Sequence, residues 1–185
     1  MQLQNDLWRY ALDLYQQPGV EQGCLDLQQQ GASINRLLFC CWLGKEKRIL
    51  VPDLVTASFS AQWQQEITHP LRQLRYRVRE QKDGRSELDS VYQKMRAAEL
   101  AAEQVELAAL AELAEQMPEQ KSDVIAALEN LSRYFEMAGL QLNNTARQGL
   151  WPLLRAAACH DQQLQHWQTL ASEGTFKFNE PLTTD

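Results

Sequence analysis

Three arginines spaced three and four residues apart are the best candidate for a binding site in this sequence. Arg72, Arg75 and Arg79 would lie on one face of a helix, where their guanidinium groups could hold a phosphate or an acidic protein surface. The stretch that follows is acidic, because residues 86–129 carry ten Asp or Glu against three Lys or Arg. The sequence therefore leaves two interpretations open, an external anion and pairing within the chain, and it favours the pairing.

A pocket between the N-terminal helices is the second candidate. Large aromatic side chains and two polar ones lie in the first part of the chain, and such combinations line small-molecule sites. The candidate lining residues are Trp8, Tyr15, Asn35, Arg36 and Trp42. A pocket of this kind would suit a small-molecule binder or an enzyme.

One pattern, the Glu-x-x-His spacing of Glu66 and His69, suggests a metal. Helical di-iron sites need this motif twice, together with two further carboxylates. The other two histidines, His160 and His166, have no Glu three residues earlier. We therefore expect no metal and no cofactor.

No arrangement of residues identifies a catalytic centre. Cys159 and His166 could share a helical face as a nucleophile and its base, but no acid that would orient the histidine is apparent. Three carboxylates of the acidic stretch, Glu99, Glu103 and Glu106, fit a solvated stripe better than an acid–base pair. No catalytic residue is assigned, and whether the protein is an enzyme stays open.

Composition and charge exclude several classes of protein. The formal net charge is −6, which disfavours binding to nucleic acid. The first residues lack the basic start and apolar run of a secretory signal. The longest strongly apolar run, residues 37–43, is far shorter than the roughly 18 residues of a membrane span. We expect a cytoplasmic protein without membrane insertion, whose four cysteines are reduced and buried.

The apolar periodicity predicts an all-α fold, a bundle of about seven or eight helices with a long protruding antiparallel helical hairpin. A fourth helix from about Asp53 should break or kink at His69-Pro70, because the residue before proline avoids the helical region. Residues 86–116 contain no Gly or Pro and should supply the long hairpin helix. Helix caps are predicted at Asn5 or Asp6, at Ser33, and at Asn143 or Asn144.

The predicted organisation is a single domain over residues 1–172, followed by an extended or disordered tail at 173–185. Its core would be built from residues 5–81 and 121–172, and its last helix would span about 161–172.

The N-terminal block also has a distinctive pattern, with the segments LWRYA, PGV, CL, GASIN and LLFCCWL between Leu7 and Leu43. These segments resemble a proteobacterial family of small proteins that is a domain of unknown function, and looser similarity continues through Trp63 and residues 70–72 into the long helix. The resemblance implies a bacterial, cytoplasmic helical protein and transfers no activity.

The leading hypothesis is a non-catalytic interaction or adaptor protein. An unidentified protein partner would dock on the arginine face, on the hairpin or on both, and a homo-oligomer could form through the long helix. The alternative is the small-molecule binder or enzyme with a pocket between the N-terminal helices.

Overall fold

The computed structural model describes residues 1–119 and 126–158, and their regular structure is helical apart from one isolated bridge between Arg48 and Glu119. This confirms the predicted all-α multi-helix bundle. None of the described helices is long and apolar enough to cross a bilayer. The helices are α1 (Asp6–Tyr15), α2 (Val20–Gln29), α3 (Ile34–Lys45), α4 (Pro52–Thr56), α5 (Phe59–Trp63), α6 (His69–Gln81), α7 (Asp89–Ala114), α8 (Ala126–Met137) and α9 (Asn144–Ala157).

Side-chain caps begin the helices that the sequence marks most clearly. The Asn5 side chain accepts a hydrogen bond from Trp8 N at 2.8 Å, and the Asn143 side chain accepts one from Ala146 N at 2.8 Å. Ser33 caps α3 in the same way. Each cap satisfies a backbone N–H that has no partner inside the helix, so these three predictions are confirmed.

The core surrounds α3. Ten of its twelve residues are buried, and α8 packs so closely on it that a Cβ added to Gly44 would lie 2.6 Å from Ala127 N. A similar close approach joins α2 to α9 at Gly23 and Gly149. Small residues at these two contacts let the helices approach each other at backbone distance.

The predicted break at His69-Pro70 is wrong. The chain breaks earlier, at Ala57-Ser58, where Ser58 caps α5. From there the helical run continues to the end of α6, with a π-helical turn over Gln64–Thr68 just before the proline. Proline lacks an N–H and its ring clashes with the carbonyl four residues earlier, which here belongs to the wider π turn.

A helical hairpin is formed by α6 and α7, which are joined by residues 82–88. The ion pairs between the two helices run in opposite directions along the chain, so the helices are antiparallel. The acidic residues 89–114 thus form one continuous helix, α7, and the basic helix α6 is its partner. The far half of α7 packs into the core, where Leu107 and Leu110 are buried.

Several predictions fall outside the described residues: the last helix over 161–172, the tail at 173–185, and the Cys159 and His166 pair. The single-domain organisation stays a prediction.

Candidate functional site

A cleft of about 450 Å³ separates α1 and α2 from the hairpin, with α3 contributing to its lining. At one end Tyr76 Oη of α6 donates a hydrogen bond to Gln28 Oε1 of α2 at 3.4 Å. The cleft brings together the two residue sets that the sequence suggested separately. Those lining it are Trp8, Tyr15 and Asn35 from the predicted pocket and Arg72, Arg75 and Arg79 from the predicted arginine face.

The other two predicted pocket residues, Arg36 and Trp42, do not line this cleft. Arg36 is 3 % exposed, whereas its neighbour Asn35 reaches the cleft, because consecutive helical side chains point about 100° apart. Trp42 is buried near the far end of α3, and its ring centroid lies 6.3 Å from that of Phe39. Both side chains belong to the interior of the bundle.

Two of the three arginines pair with the acidic helix. Arg72 Nε donates to Glu99 Oε1 at 2.8 Å and its Nη2 donates to Glu103. Arg75 Nη2 donates to Glu99 Oε1 at 3.2 Å, and its Nε donates to the other oxygen of the same carboxylate. These guanidinium groups are therefore part of the hairpin interface.

Burial and hydrogen bonds from arginine have opposite effects on the pKa values of the carboxyl groups in this network. Desolvation raises the pKa of Glu99, but hydrogen bonds from Arg75 and Arg72 outweigh it and leave the pKa below its ordinary value. For Glu103, burial wins over the attraction of Arg72 and the pKa is raised. The interpretation of these carboxylates as a solvated stripe is wrong, since Glu99 and Glu106 are 5 % and 0 % exposed.

The third arginine, Arg79, behaves differently. Its side chain is exposed and lies over the ring of Tyr76, with Cζ 4.7 Å from the ring centroid. Neither Arg79 nor Arg96 of α7, which also lines the cleft, has a carboxylate partner in the part of the chain that the structure describes. The cleft therefore holds two guanidinium groups that are available to a ligand.

A second charged pair lies in the interior beside the cleft. Arg36 Nε is 3.9 Å from Glu106 Oε1, and Gln64 Nε2 donates to the same carboxylate oxygen at 2.7 Å. Burial raises the pKa of Glu106, and the charge of Arg36 opposes that shift. Gln64 belongs to the π turn, which packs against α7. The pair is not apparent from the sequence, because Arg36 and Glu106 lie on different helices seventy residues apart.

Three of the four cysteines, Cys24, Cys40 and Cys41, are buried. Burial raises the pKa of Cys24 to about 12 and raises the pKa of Cys40 and Cys41 well above the ordinary value. These three cysteines are free thiols, as predicted, while Cys159 lies outside the described residues. Within the described ranges no group of three or more His, Cys, Asp or Glu is placed to hold a metal ion.

Comparison with known protein families adds one match. The family described as "Protein of unknown function (DUF2390)" matches residues 6–110, which is more than half of the 185-residue chain. The chain belongs to this family. No curated protein and no solved structure matches it.

The segment that matches DUF2390 contains the whole cleft. Every lining residue falls between Trp8 and Leu107, whereas α8 and α9 lie beyond the matched range. Among the described residues, the matched part of the chain thus supplies all the side chains that line the candidate site. The predicted resemblance to a domain of unknown function is confirmed, and the proteobacterial origin stays a prediction.

Replacing Glu99 with Gln should lower the free energy of unfolding by about 2–3 kcal/mol at pH 7, because Arg72 and Arg75 lose the carboxylate that they share. The pKa of Glu99 is lowered in the folded state. Its stabilisation is therefore present above the ordinary Glu pKa and is lost as the pH falls through the lowered value. Urea unfolding between pH 3 and pH 7 should show the deficit of the variant shrinking toward acid.

Asp89→Asn is the matched control, since it breaks the exposed pair of Asp89 with Lys82 and should cost less than about 1 kcal/mol. Equal losses in the two variants would contradict a buried role for Glu99.

Proposed function

We propose that this protein is a non-catalytic binding protein, an adaptor that receives a segment of a partner protein in the cleft. One observation carries the proposal: the aromatic residues of α1 and the arginines of the hairpin line the same open cleft. Trp, Tyr and Arg are the residue types that contribute most binding energy at protein interfaces.

Exposed apolar side chains at the cleft support a protein ligand. Leu12 and Leu100 line it and are 42 % and 53 % exposed. Large apolar residues left in water beside unpaired arginines are typical of an interaction surface. An open groove between helices also suits a partner helix or extended segment, which binds through apolar anchors and polar contacts at the rim.

The ion pairing of the carboxylates in the cleft supports binding over catalysis. Two of the three carboxylates that line the cleft, Glu99 and Glu103, are held by Arg72. A general acid or base must exchange its proton with a substrate, whereas these groups are committed to the hairpin. The proposal keeps the predicted bacterial, cytoplasmic setting, on the strength of the sequence resemblance.

We expect the double variant Leu12→Asp/Leu100→Asp to lose partner binding while remaining folded. Both side chains are exposed, so the changes place charge on the binding surface and leave the core intact. The measurement is affinity capture from a bacterial lysate, with captured proteins compared between the wild type and the variant. We expect at least a tenfold loss of the specific partner, since two apolar contacts are removed.

The matched control is Leu3→Asp/Leu74→Asp. Leu3 and Leu74 are 42 % and 46 % exposed but do not line the cleft. Capture that survives in the cleft variant, or that is lost equally in the control, would reject the cleft as the docking site.

A small molecule is the second candidate occupant, and the volume of the cleft favours it. About 450 Å³ falls within the range of roughly 300–1,000 Å³ typical of small-molecule sites. Native mass spectrometry of the gently purified protein separates the two candidates. A bound small mass that is absent from Leu12→Asp/Leu100→Asp would favour this occupant over a protein segment.

A further inference from the structure

Charge pairs link the two sides of the hairpin, and one position interrupts them. From the core toward the tip, the facing positions advance by three or four residues at each step from Arg72 to Lys82, and they move back along α7 by four, three and then seven residues to Asp89. Every step but one joins opposite charges. The observed pairs are Arg72 with Glu103, Arg75 with Glu99, and Lys82 with Asp89.

The exception is the step between the last two pairs. The antiparallel register places Arg79 opposite Arg96, four residues beyond Arg75 on one helix and three before Glu99 on the other. Two like charges at facing positions repel each other by an amount that is reduced but not removed by water. No described carboxylate pairs with either one, although Glu21 of α2 also lines the cleft.

The position of Arg79 and Arg96 relative to the cleft is the second observation. Both arginines are exposed and both line the cleft, whereas the neighbouring Lys82–Asp89 pair lies outside it. Of the hairpin steps that line the cleft, the one nearest the tip is therefore the one without a compensating carboxylate. Aromatic rings flank the step on both helices, with Tyr76 beneath Arg79 and Tyr92 also in the lining.

We propose that Arg79 and Arg96 together form a receptor for a phosphoryl group carried by the ligand of the cleft. This rests on the proposed function for the presence of a ligand, and it adds the chemistry by which the ligand is recognised. The guanidinium fork donates two parallel hydrogen bonds to an oxyanion. Two such forks on facing helices match a group that offers three acceptor oxygens.

Charge favours a phosphoryl group over a single carboxylate. A phosphorylated side chain carries a charge of about −1.5 to −2 at neutral pH, which matches the two unpaired guanidinium groups. A carboxylate would leave one positive charge uncompensated. Recognition of phosphorylated segments by grouped arginines is an established mode of peptide binding, and the aromatic and apolar lining would contact the remainder of the segment.

The test is a calorimetric titration with phenyl phosphate and, as a monoanion with the same ring, benzoate. We expect phenyl phosphate to bind at least about tenfold more tightly than benzoate, and Arg79→Gln or Arg96→Gln to weaken it about tenfold each. Arg77→Gln is the matched control, because Arg77 is exposed on the same helix but does not line the cleft. It should leave the affinity unchanged.

Thermal unfolding with inorganic phosphate gives a second readout, which does not depend on the phenyl ring of the two test compounds. Inorganic phosphate at a fixed ionic strength should raise the Tm of the wild type more than that of Arg79→Gln/Arg96→Gln. Without phosphate, the double variant should be at least as stable as the wild type, since a like-charge contact is removed. The variants are therefore expected to fold.

Equal affinity for benzoate would overturn the phosphoryl assignment, and binding that persists in Arg79→Gln/Arg96→Gln would overturn the site. Absence of binding by either compound would also overturn it. These failures are distinct from failure of the proposed function, because the leucine variants test the cleft without changing either arginine. Loss of partner capture in the leucine variant, together with full capture by Arg79→Gln/Arg96→Gln, would retain the adaptor and reject the anion receptor.

Discussion

Replacing Arg36 with Met is expected to lower the free energy of unfolding by about 3–5 kcal/mol at pH 7. Arg36 and Glu106 are 3 % and 0 % exposed, and Arg36 Nε lies 3.9 Å from Glu106 Oε1. Methionine retains much of the length and apolar volume of arginine but leaves the Glu106 carboxylate without its counter-charge. Chemical unfolding of the variant and the wild type measures the loss.

The deficit of Arg36→Met should depend on pH in a defined direction. Burial raises the pKa of Glu106 and the charge of Arg36 opposes the rise, so removing Arg36 raises that pKa further. A carboxyl whose pKa is higher folded than unfolded favours the folded state below its unfolded pKa of about 4.3. That advantage is lost as the pH rises through the folded pKa. The deficit should therefore be smallest near pH 4 and should grow toward pH 7.

Two further variants separate buried charge from other effects of the substitution. Arg36→Met/Glu106→Gln should recover much of the stability, because no unpaired ion remains in the interior. Arg9→Met breaks an exposed pair with Asp6, whose side chain is 76 % exposed, and should cost less than about 1 kcal/mol. A deficit in Arg36→Met that equals that of Arg9→Met, or that does not change with pH, would contradict a buried ion pair.

The sequence predicted the helices well wherever a local signal determines them. Asn5, Ser33 and Asn143 cap helices because a short polar side chain can reach the N–H three residues ahead. Pro70 misled the prediction, because proline excludes an ordinary helical turn before it but tolerates a π turn. The rule concerns only the residue before a proline, so it cannot predict a π turn that extends over five residues.

The candidate site was predicted only in parts. Spacing alone showed that Arg72, Arg75 and Arg79 share a face, and the charge balance correctly favoured pairing with the acidic stretch. The charge balance could not show which of the three arginines remains unpaired, because the register between α6 and α7 depends on the connection at residues 82–88. That register decides which arginines are held by the fold and which are left for a ligand.

The assembly of the cleft was not visible in the sequence for a related reason. Its walls come from α1 and α2 on one side and from α6 and α7 on the other, separated along the chain by the buried helix α3. Local periodicity shows which face of each helix is apolar but not which helices meet. The same limit explains Arg36, which is polar in type and yet turned into the core beside a carboxylate seventy residues away.

The pairing of Arg72 and Arg75 with Glu99, which leaves Arg79 exposed, changes how the arginine face can be tested. Charge reversal at Arg72 and Arg75 would remove both partners of the buried Glu99 and destabilise the hairpin itself. Loss of binding in such a variant would say little about a docking surface. Arg79 and Arg96 are exposed, so their variants test binding without breaking the interface that positions them.

Gly23→Ala should destabilise the protein by about 1–2 kcal/mol, although alanine is the better helix former. An added Cβ at Gly23 would lie 2.4 Å from the carbonyl oxygen of Gly149, far inside van der Waals contact. The obstacle is backbone, so it can be relieved only by separating α2 and α9. Overpacking of this kind typically costs about 1–3 kcal/mol, whereas replacing glycine inside a helix gains about 1 kcal/mol in helix propensity.

The sign of the change makes this a sharp test of the α2–α9 contact. If the two helices were further apart, propensity would dominate and Gly23→Ala would raise the unfolding midpoint in urea. Gln29→Ala is the control, since Gln29 is exposed on the same helix and its replacement should change stability by no more than about 0.5 kcal/mol. Because α2 also forms one wall of the cleft, displacing it should weaken ligand binding in Gly23→Ala but leave binding by Gln29→Ala unchanged. A midpoint that rises in Gly23→Ala would show that the helices do not meet at Gly23 and Gly149.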